Sequence, residues 1–569
     1  MKLKIALAQI NPVTGDIEGN TAKILEYAEK AKKSGAEIVV FPELIIPGYC
    51  SADRFENIEF VKENKKALEK IAKKINGIVV IAGFVDYDEE QTSESGGIAK
   101  FNAGAVIKDG RIIGIFRKKL LPNYRFFDEK RYFNSDAERA KPIKVRINRK
   151  KVSLGLLICE DIWDENYERK PVNELKDRAD IIIAINGSPF YAGKLNERIE
   201  LIKKHVKNTR LPFIYLNAVG VSDNVKNILV FDGFTMVFDR KGNLAAHAGQ
   251  FREELKLVSF DTEKIYKEKQ KPETSWEEEV FNALVLGLRD YCRKTGFKKA
   301  VLGLSGGIDS SVAAVIAAEA LGRENVLGVN MPSKFNRPEL KNAARKLAHA
   351  IGIEYRVTPI QRIVDRFIQE HEAHFGKIKK RVTIENIQAR VRGNLLMAIS
   401  NDTGKLLLST GNKTEIALGY CTLYGDMSGG IEVIGDVNKM QVYALANYIN
   451  KNGKYKGAIP QETIRAKPDA ELWKNSEGDP FDYKCVAPLV DDIIIEHRTK
   501  EELLALFRKK KLVYAAHLKE SEFEKILDDV FRRIKSSVYK RGQAPPIIIV
   551  SKRAFGYDLR ETIIDRWHS

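Results

Sequence analysis

Apolar and polar positions in the first 260 residues alternate between two periods. "KIALAQI", "AEIVVFPEL" and "GIVVIAGF" are short apolar runs of strand type. Between them, "TAKILEYAEKAKK" puts Ile24, Tyr27, Ala28 and Ala31 on one helical face, and "NKKALEKIAKKI" reads as a further helix. "GAVIKDGRIIGIFRK" predicts a hairpin turned at Asp109-Gly110. "VSLGLLIC", "ADIIIAI" and "FIYLNAVG" predict further strands, and "LVFDGFTMVFDRKGNLAAHA" another hairpin. Strands interleaved with helices predict an α/β sandwich over residues 1–260.

The pattern lapses in the charged stretch "DTEKIYKEKQKPETS", residues 261–275, which reads as a linker. Ser275 and Glu278 then have capping-box spacing and start a helix that runs to about residue 294. From there "AVLGL", "SSVAAVIAAEAL", "VLGVN" and "PELKNAARKLAHAI" repeat strand, loop, helix. That order predicts a doubly wound parallel sheet over residues 276–569.

Composition narrows the class. A chain of 569 residues exceeds one hydrophobic core. Hydrophobic residues at 44% and charged residues at 30% describe a globular protein, and no apolar run reaches the roughly 20 residues of a membrane span. The first residues are too short in their apolar part for a secretory signal, so a cytoplasmic enzyme is expected. Five scattered cysteines without a CxxC pair, and eight histidines without HxxxH or HExxH spacing, argue against a disulfide framework or a zinc cage. The net charge of +18 is spread along the chain. It reads as a solvated basic surface, or as a surplus suited to small polyanions such as nucleotides.

Chemistry first shows in "GLSGGIDSS", residues 303–311, between a buried-type strand and an alanine-rich helix. Glycines allow the backbone close to an anion, and the helix start offers free N–H groups. Neither a Walker spacing nor GxGxxG is present. Instead Asp309 stands where phosphates should lie, which makes sense if it holds Mg²⁺ against a pyrophosphate. The loop resembles the SGGxDS loop of PP-loop ATP pyrophosphatases. That resemblance implies ATP binding by Gly303, Leu304, Ser305, Gly306, Gly307, Ile308, Asp309 and Ser310.

"ENIQARVRGNLLMAISN", "LLLSTGNKTEIALGYCTLYGDMSGG" and "VYKRGQAPP" resemble the NAD synthetase family. The resemblance implies that Thr410 and Arg390 serve ATP, and that Glu415 joins Asp309 as a metal ligand. It implies deamido-NAD contacts for Asn386, Glu415, Lys439 and Lys540. Against the family pattern, Asn342 replaces an aspartate, Asp469 replaces a serine, and residues 475–480 depart from a common run.

In the first half, "FPELIIPGY", "FRKKLLPNY" and "LLICEDIW" place Glu43, Lys118 and Cys159 at three strand ends. They resemble the Glu-Lys-Cys triad of the nitrilase (carbon–nitrogen hydrolase) family, a base, a cation and a nucleophile. Lys118 rather than Lys119 fits, standing three residues before Leu121-Pro122. "LPNYRFFDEKRYF" and "NGSPFYAGK" resemble the glutamine-dependent subgroup of NAD synthetases. They imply glutamine contacts from Tyr124, Ser188 and Lys194, with Glu160 and Phe127 as further candidates.

The combined resemblance implies an αββα glutaminase fused to a PP-loop synthetase, with ATP and Mg²⁺, no nucleic acid or membrane partner, and a homo-oligomer (dimer or octamer). Two alternatives stay open. One is a PP-loop tRNA-modifying enzyme whose charge is an RNA footprint. The other is a fusion whose first half is only a scaffold.

Overall fold

The structure is a computed structural model that describes residues 2–93, 96–147, 150–473 and 478–564. The chain divides into two compact units, Met1–Val225 with Leu229–Thr274, and Lys226–Ile228 with Ser275–Ser569.

The first unit holds two six-stranded sheets. In one, Lys2–Gln9, Ile38–Val40 and Val79–Thr92 run parallel, and Ile98–Lys108, Arg111–Arg117 and Glu254–Asp261 add antiparallel edges. In the other, Lys150–Ile158, Ile181–Asn186 and Phe213–Asn217 form the parallel centre. Alternation assigns the two faces of each strand. Leu3, Ile5 and Leu7 face Leu154, Leu156 and Ile158 of the other sheet in one core, while Ala6 and Ala8 turn outward onto Ile24, Ala28 and Ile71 of two helices. Ile182 and Ala184 likewise pack on Ile199 and Ile202 of the helix Lys194–Thr209. The layers are helix, sheet, sheet, helix, the αββα sandwich that the family resemblance implies.

The hairpin at Asp109-Gly110 forms with both residues at positive φ (44° and 83°), the conformation a two-residue turn between twisted strands needs. The second expected hairpin is corrected. Only Met236–Phe238 and Leu244–His247 pair as a hairpin, whereas Ile228–Asp232 pairs with Val219–Asp223 in a separate two-stranded sheet. The Gly233 N–H bonds back to the Ala218 carbonyl between these strands, a break that apolar periodicity does not register.

The second unit carries a five-stranded parallel sheet in the order Glu354–Val357, Val326–Asn330, Ala300–Gly303, Leu406–Ser409, Ile431–Glu432. The order reverses between Ala300–Gly303 and Leu406–Ser409. Loops leaving those strands diverge to opposite faces there and open a crevice at their carboxyl ends. Ser275 caps the preceding helix, Trp276–Thr295, by accepting from the Glu278 N–H at 3.2 Å. Among the described residues no helix is long and apolar enough to cross a membrane.

Candidate active sites

In the first unit Cys159 follows the strand Lys150–Ile158 and opens a short turn at φ 41°. Non-glycine residues rarely occupy this region, and their strain is tolerated mainly where function requires it. The thiol is 4% exposed. Burial, then the Glu43 carboxylate, push its pKa well above the ordinary thiol value, with Lys118 opposing them. Cys159 therefore rests as a thiol and needs a base.

Glu43 and Lys118 meet beside it. The Lys118 Nζ donates to Glu43 Oε1 at 2.8 Å and to both oxygens of Glu129, at 2.7 and 2.9 Å. Glu43 also accepts from Asn102 Nδ2 at 2.7 Å and from the Gly187 N–H at 2.7 Å. Burial opposes the Lys118 charge, but Glu129 and Glu43 outweigh it and hold the pKa well above the lysine value. Glu129 is drawn upward by burial, with Lys118 resisting. A glycine at position 83 makes the approach possible, since a Cβ there would lie 2.3 Å from the Leu44 nitrogen, directly behind Glu43.

Glu129 is a site residue that sequence reasoning missed, although it lies within "LPNYRFFDEKRYF". Asp161 is another. Its Oδ1 accepts from the Lys119 and Leu120 N–H groups at 2.8 and 2.9 Å, and its Oδ2 from the Ile158 N–H at 3.1 Å. One carboxylate thus fastens the segment carrying Lys118 to the turn carrying Cys159. Burial lifts its pKa to about 6 against those three donors. Asp161→Asn would turn an NH₂ group toward at least one N–H. We expect a loss of ~1–3 kcal/mol, read as a lower urea midpoint.

Of the remaining first-unit candidates, Glu160, Tyr124 and Lys194 lie close enough to interact with Cys159 electrostatically. Glu160 accepts from the Tyr124 hydroxyl at 3.1 Å and from the Tyr167 hydroxyl at 2.9 Å. Phe127 packs edge-on to Tyr124 with ring centroids 5.5 Å apart. The Lys194 ammonium lies 4.0 Å from the Trp163 ring centroid, at the start of its helix. Ser188 follows Gly187, its N–H donating to Asn217 Oδ1 at 2.9 Å and its carbonyl accepting from the buried Arg198 at 2.8 Å.

In the second unit the loop Gly303–Ser310 leaves the central strand at the crevice. Gly306 sits at φ +90°, and a Cβ there would lie 2.1 Å from the Leu340 carbonyl oxygen, so no other residue fits. Ser305 Oγ accepts from the Gly307 N–H at 3.1 Å and lies 3.1 Å from Ser310 Oγ. Two clefts share this loop. One, of ≈ 970 Å³, is walled by Gly303, Leu304, Val329, Met331, Arg392 and Leu396, among others. The other, of ≈ 1120 Å³, is walled by acids and by Lys439. Ser305, Ser310 and Thr410 line both, while Gly307, Ile308 and Asp309 line the second.

Asp309 is gripped from two sides, by Lys439 Nζ at 2.6 Å and by Asn412 Nδ2 at 2.9 Å. Lys439 also reaches Glu415 Oε1 at 3.2 Å. Burial opposes the Lys439 charge, but Asp309 and Glu415 raise its pKa above the lysine value, while burial raises Glu415. Glu415 has a second duty at the start of its helix. Its Oε2 accepts from the Asn412 N–H at 3.3 Å, closing a capping box with Asn412.

Three expected residues sit elsewhere. Arg390 is exposed and donates to the Leu423 carbonyl at 3.2 Å, and it lines neither cleft. The cleft guanidinium is Arg392, two positions on, which bonds the Met331 carbonyl at 3.0 Å and Asn336 Oδ1 at 3.1 Å. On a helix those two residues point some 200° apart, which spacing alone does not resolve. Lys540 donates to the Gly419 and Cys421 carbonyls at 2.8 and 2.7 Å, and Asn386 accepts from the Thr422 hydroxyl at 2.8 Å, so both brace the 419–422 turn. Asn342 is exposed on the helix Pro338–Ile351, whereas Asp469 lines the second cleft. Of the departing run 475–480, residues 475–477 lie outside the described residues. Asp479, in the same run, lines the second cleft and accepts from the Tyr420 and Tyr483 hydroxyls at 3.1 and 3.0 Å.

A carbon-nitrogen hydrolase family model matches residues 4–270, and an NAD synthase family model matches residues 280–544. A glutamine-dependent NAD(+) synthetase of Thermotoga maritima is 37% identical, over 100% of this chain and 99% of its own. The chain belongs to the glutamine-dependent NAD(+) synthetase family. Another relative so described, from Synechocystis sp., is 37% identical over 99% of both chains. Among solved structures of such synthetases, that from Acinetobacter baumannii in complex with adenosine diphosphate superposes with TM-score 0.75 at 33% identity, over 100% of this chain and 99% of that one. The Cytophaga hutchinsonii synthetase shares the fold, with TM-score 0.82 at 22% identity, over 99% and 98% of the two chains.

Proposed function

We infer that the chain is a C–N ligase that makes NAD⁺, AMP, pyrophosphate and glutamate from deamido-NAD⁺, ATP, glutamine and water. One observation carries this reading: a single family member holds both the Glu43–Lys118–Cys159 cluster and the Asp309–Lys439–Glu415 cluster. The second consumes the ammonia that the first would release.

At the first site the Cys159 sulfur attacks the glutamine amide carbon as its proton passes to Glu43. Lys118 stabilises the oxyanion, ammonia departs on the returned proton, and Glu43 activates water to release glutamate. Tyr124, Glu160, Phe127, Ser188 and Lys194 hold the substrate. Burial, with Arg198 nearby, lowers Lys194 to about 8. It is cationic below that pH and neutral above it. As partner of the substrate carboxylate, it should make the glutamine KM rise by about tenfold per unit above pH 8, with kcat steady. Lys194→Arg should flatten that rise in steady-state kinetics between pH 7 and 9.

At the second site the nucleoside of ATP occupies the less polar cleft, and its phosphates lie on the Gly303–Ser310 loop and the helix start beyond it. The nicotinate carboxylate attacks the α-phosphorus and pyrophosphate leaves. Lys439 sits where negative charge gathers. Asp309 and Glu415 fit Mg²⁺, because two hard oxygen donors already converge on one cation. When bound there, Mg²⁺ neutralises charge on the departing pyrophosphate.

The protein assembles as a homo-oligomer in this reading. Exposed Ile363, Phe367, Phe375 and Val382 on neighbouring helices support it. The decisive assay supplies purified protein with ATP, Mg²⁺ and deamido-NAD⁺, plus glutamine or ammonium. NAD⁺ should form with either donor, and its absence with both overturns the reading.

A further inference from the structure

Glu432 ends the edge strand Ile431–Glu432 and lines the acid-walled cleft with Asp309, Glu415, Thr410 and Lys439. It is 1% exposed. Its Oε1 accepts from the Ser409 hydroxyl at 3.2 Å, and its Oε2 is buried with no hydrogen-bond partner. A buried carboxylate oxygen without a partner is costly, so its presence in a reaction cleft calls for a use. Gly411 makes room for it, since a Cβ there would lie 2.2 Å from Oε1.

The other acids of this cleft have tasks. Asp309 and Glu415 share Lys439, Asp426 accepts from the Thr422 N–H at 2.6 Å, and Asp479 takes two tyrosine hydroxyls. Glu471 is tied to Arg337, and Asp469 accepts from the Glu471 N–H at 2.9 Å. Amide formation nevertheless requires a base. When ammonia adds its lone pair to the adenylated carboxyl carbon, nitrogen becomes cationic and the carbonyl oxygen anionic. The nitrogen must lose a proton before the C=O re-forms and AMP leaves with the bonding pair.

We infer that Glu432 is the proton acceptor of amide formation, its free Oε2 taking the proton that the attacking nitrogen sheds. The inference rests on the ligase reading above and deepens it. Burial raises Glu432 to about 8, reinforced by Asp426 and Glu415, while the Ser409 hydrogen bond and Lys226 oppose the shift. Lys226 comes from the short segment that clusters with this unit. A base of that strength works efficiently near neutral pH.

The test separates the two half-reactions. Deamido-NAD⁺-dependent exchange of labelled pyrophosphate into ATP reports adenylation, and NAD⁺ formation with saturating ammonium chloride reports amidation. E432Q should keep exchange within about twofold while amidation falls by about 100-fold, the size of a lost general base. Amidation within about threefold of wild type overturns the inference. Absence of exchange in the wild type overturns the ligase reading instead. Should E432Q lose exchange too, the wild-type pH profile decides. At constant free ammonia the amidation rate should climb to a bend near pH 8, and a flat profile overturns the assignment.

Discussion

Cys159→Ala is expected to abolish glutamine-dependent NAD⁺ formation while ammonium-dependent formation continues at the wild-type rate. Removing the nucleophile of a comparable hydrolytic site costs about 10⁶ in kcat, so residual glutamine use should be undetectable in the coupled assay. The side chain lost is small. Burial of its sulfur is worth only ~1 kcal/mol, and Lys118 keeps both carboxylate partners, so the fold survives the change. Ammonium use is spared because no residue of the Asp309–Lys439–Glu415 cluster is touched. Retained glutamine use would remove Cys159 from the mechanism, and joint loss of both donors would tie the two units together in a way their separate chemistry does not require.

Lys439→Met should produce the opposite pattern, with NAD⁺ formation lost for both donors and glutamate still released from glutamine. The ammonium is nearly buried and stands between Asp309 and Glu415. Methionine fills much of the volume but leaves two carboxylates facing each other without a cation. Breaking a buried ion pair in this way costs ~3–5 kcal/mol. The variant can recover part of that by protonating Glu415, whose pKa burial already raises. Saturating Mg²⁺ should restore some thermal stability by replacing the missing charge, but not synthesis, since the proposed mechanism places Lys439 where the phosphates react. Differential scanning calorimetry with and without Mg²⁺ checks the first point and product assay the second. Synthesis by Lys439→Met at near wild-type rate would make Lys439 a scaffold residue.

What was legible in the sequence follows from what short-range pattern encodes. Short apolar runs such as "KIALAQI", interleaved with helical spacing, give the order of strands and helices, so the sandwich and the parallel sheet are legible in the sequence. Glu43, Lys118 and Cys159 are legible because each follows a strand inside a recognisable run. Glu129 was not. It works from a four-residue helix, and only the fold brings it to the Lys118 ammonium. Asp161 was hidden for another reason, since its partners are backbone N–H groups, which carry no residue signature. Arg392 and Arg390 show the limit of spacing, with two identical residues on one helix separated only by the face each presents. Glu432 sits in a two-residue strand whose composition says nothing of an orphaned oxygen.

The loop shared by the two second-unit clefts has a consequence for inhibition. Ser305, Ser310 and Thr410 belong to both hollows, so a ligand that fills one already stands at the threshold of the other. A compound joining an adenosine-like half to a nicotinate-like half through a short acyl-phosphate mimic needs no long tether. Its second half would bind at an effective concentration of about millimolar or more, and avidity of that kind can exceed either fragment's affinity by about 10²–10⁴.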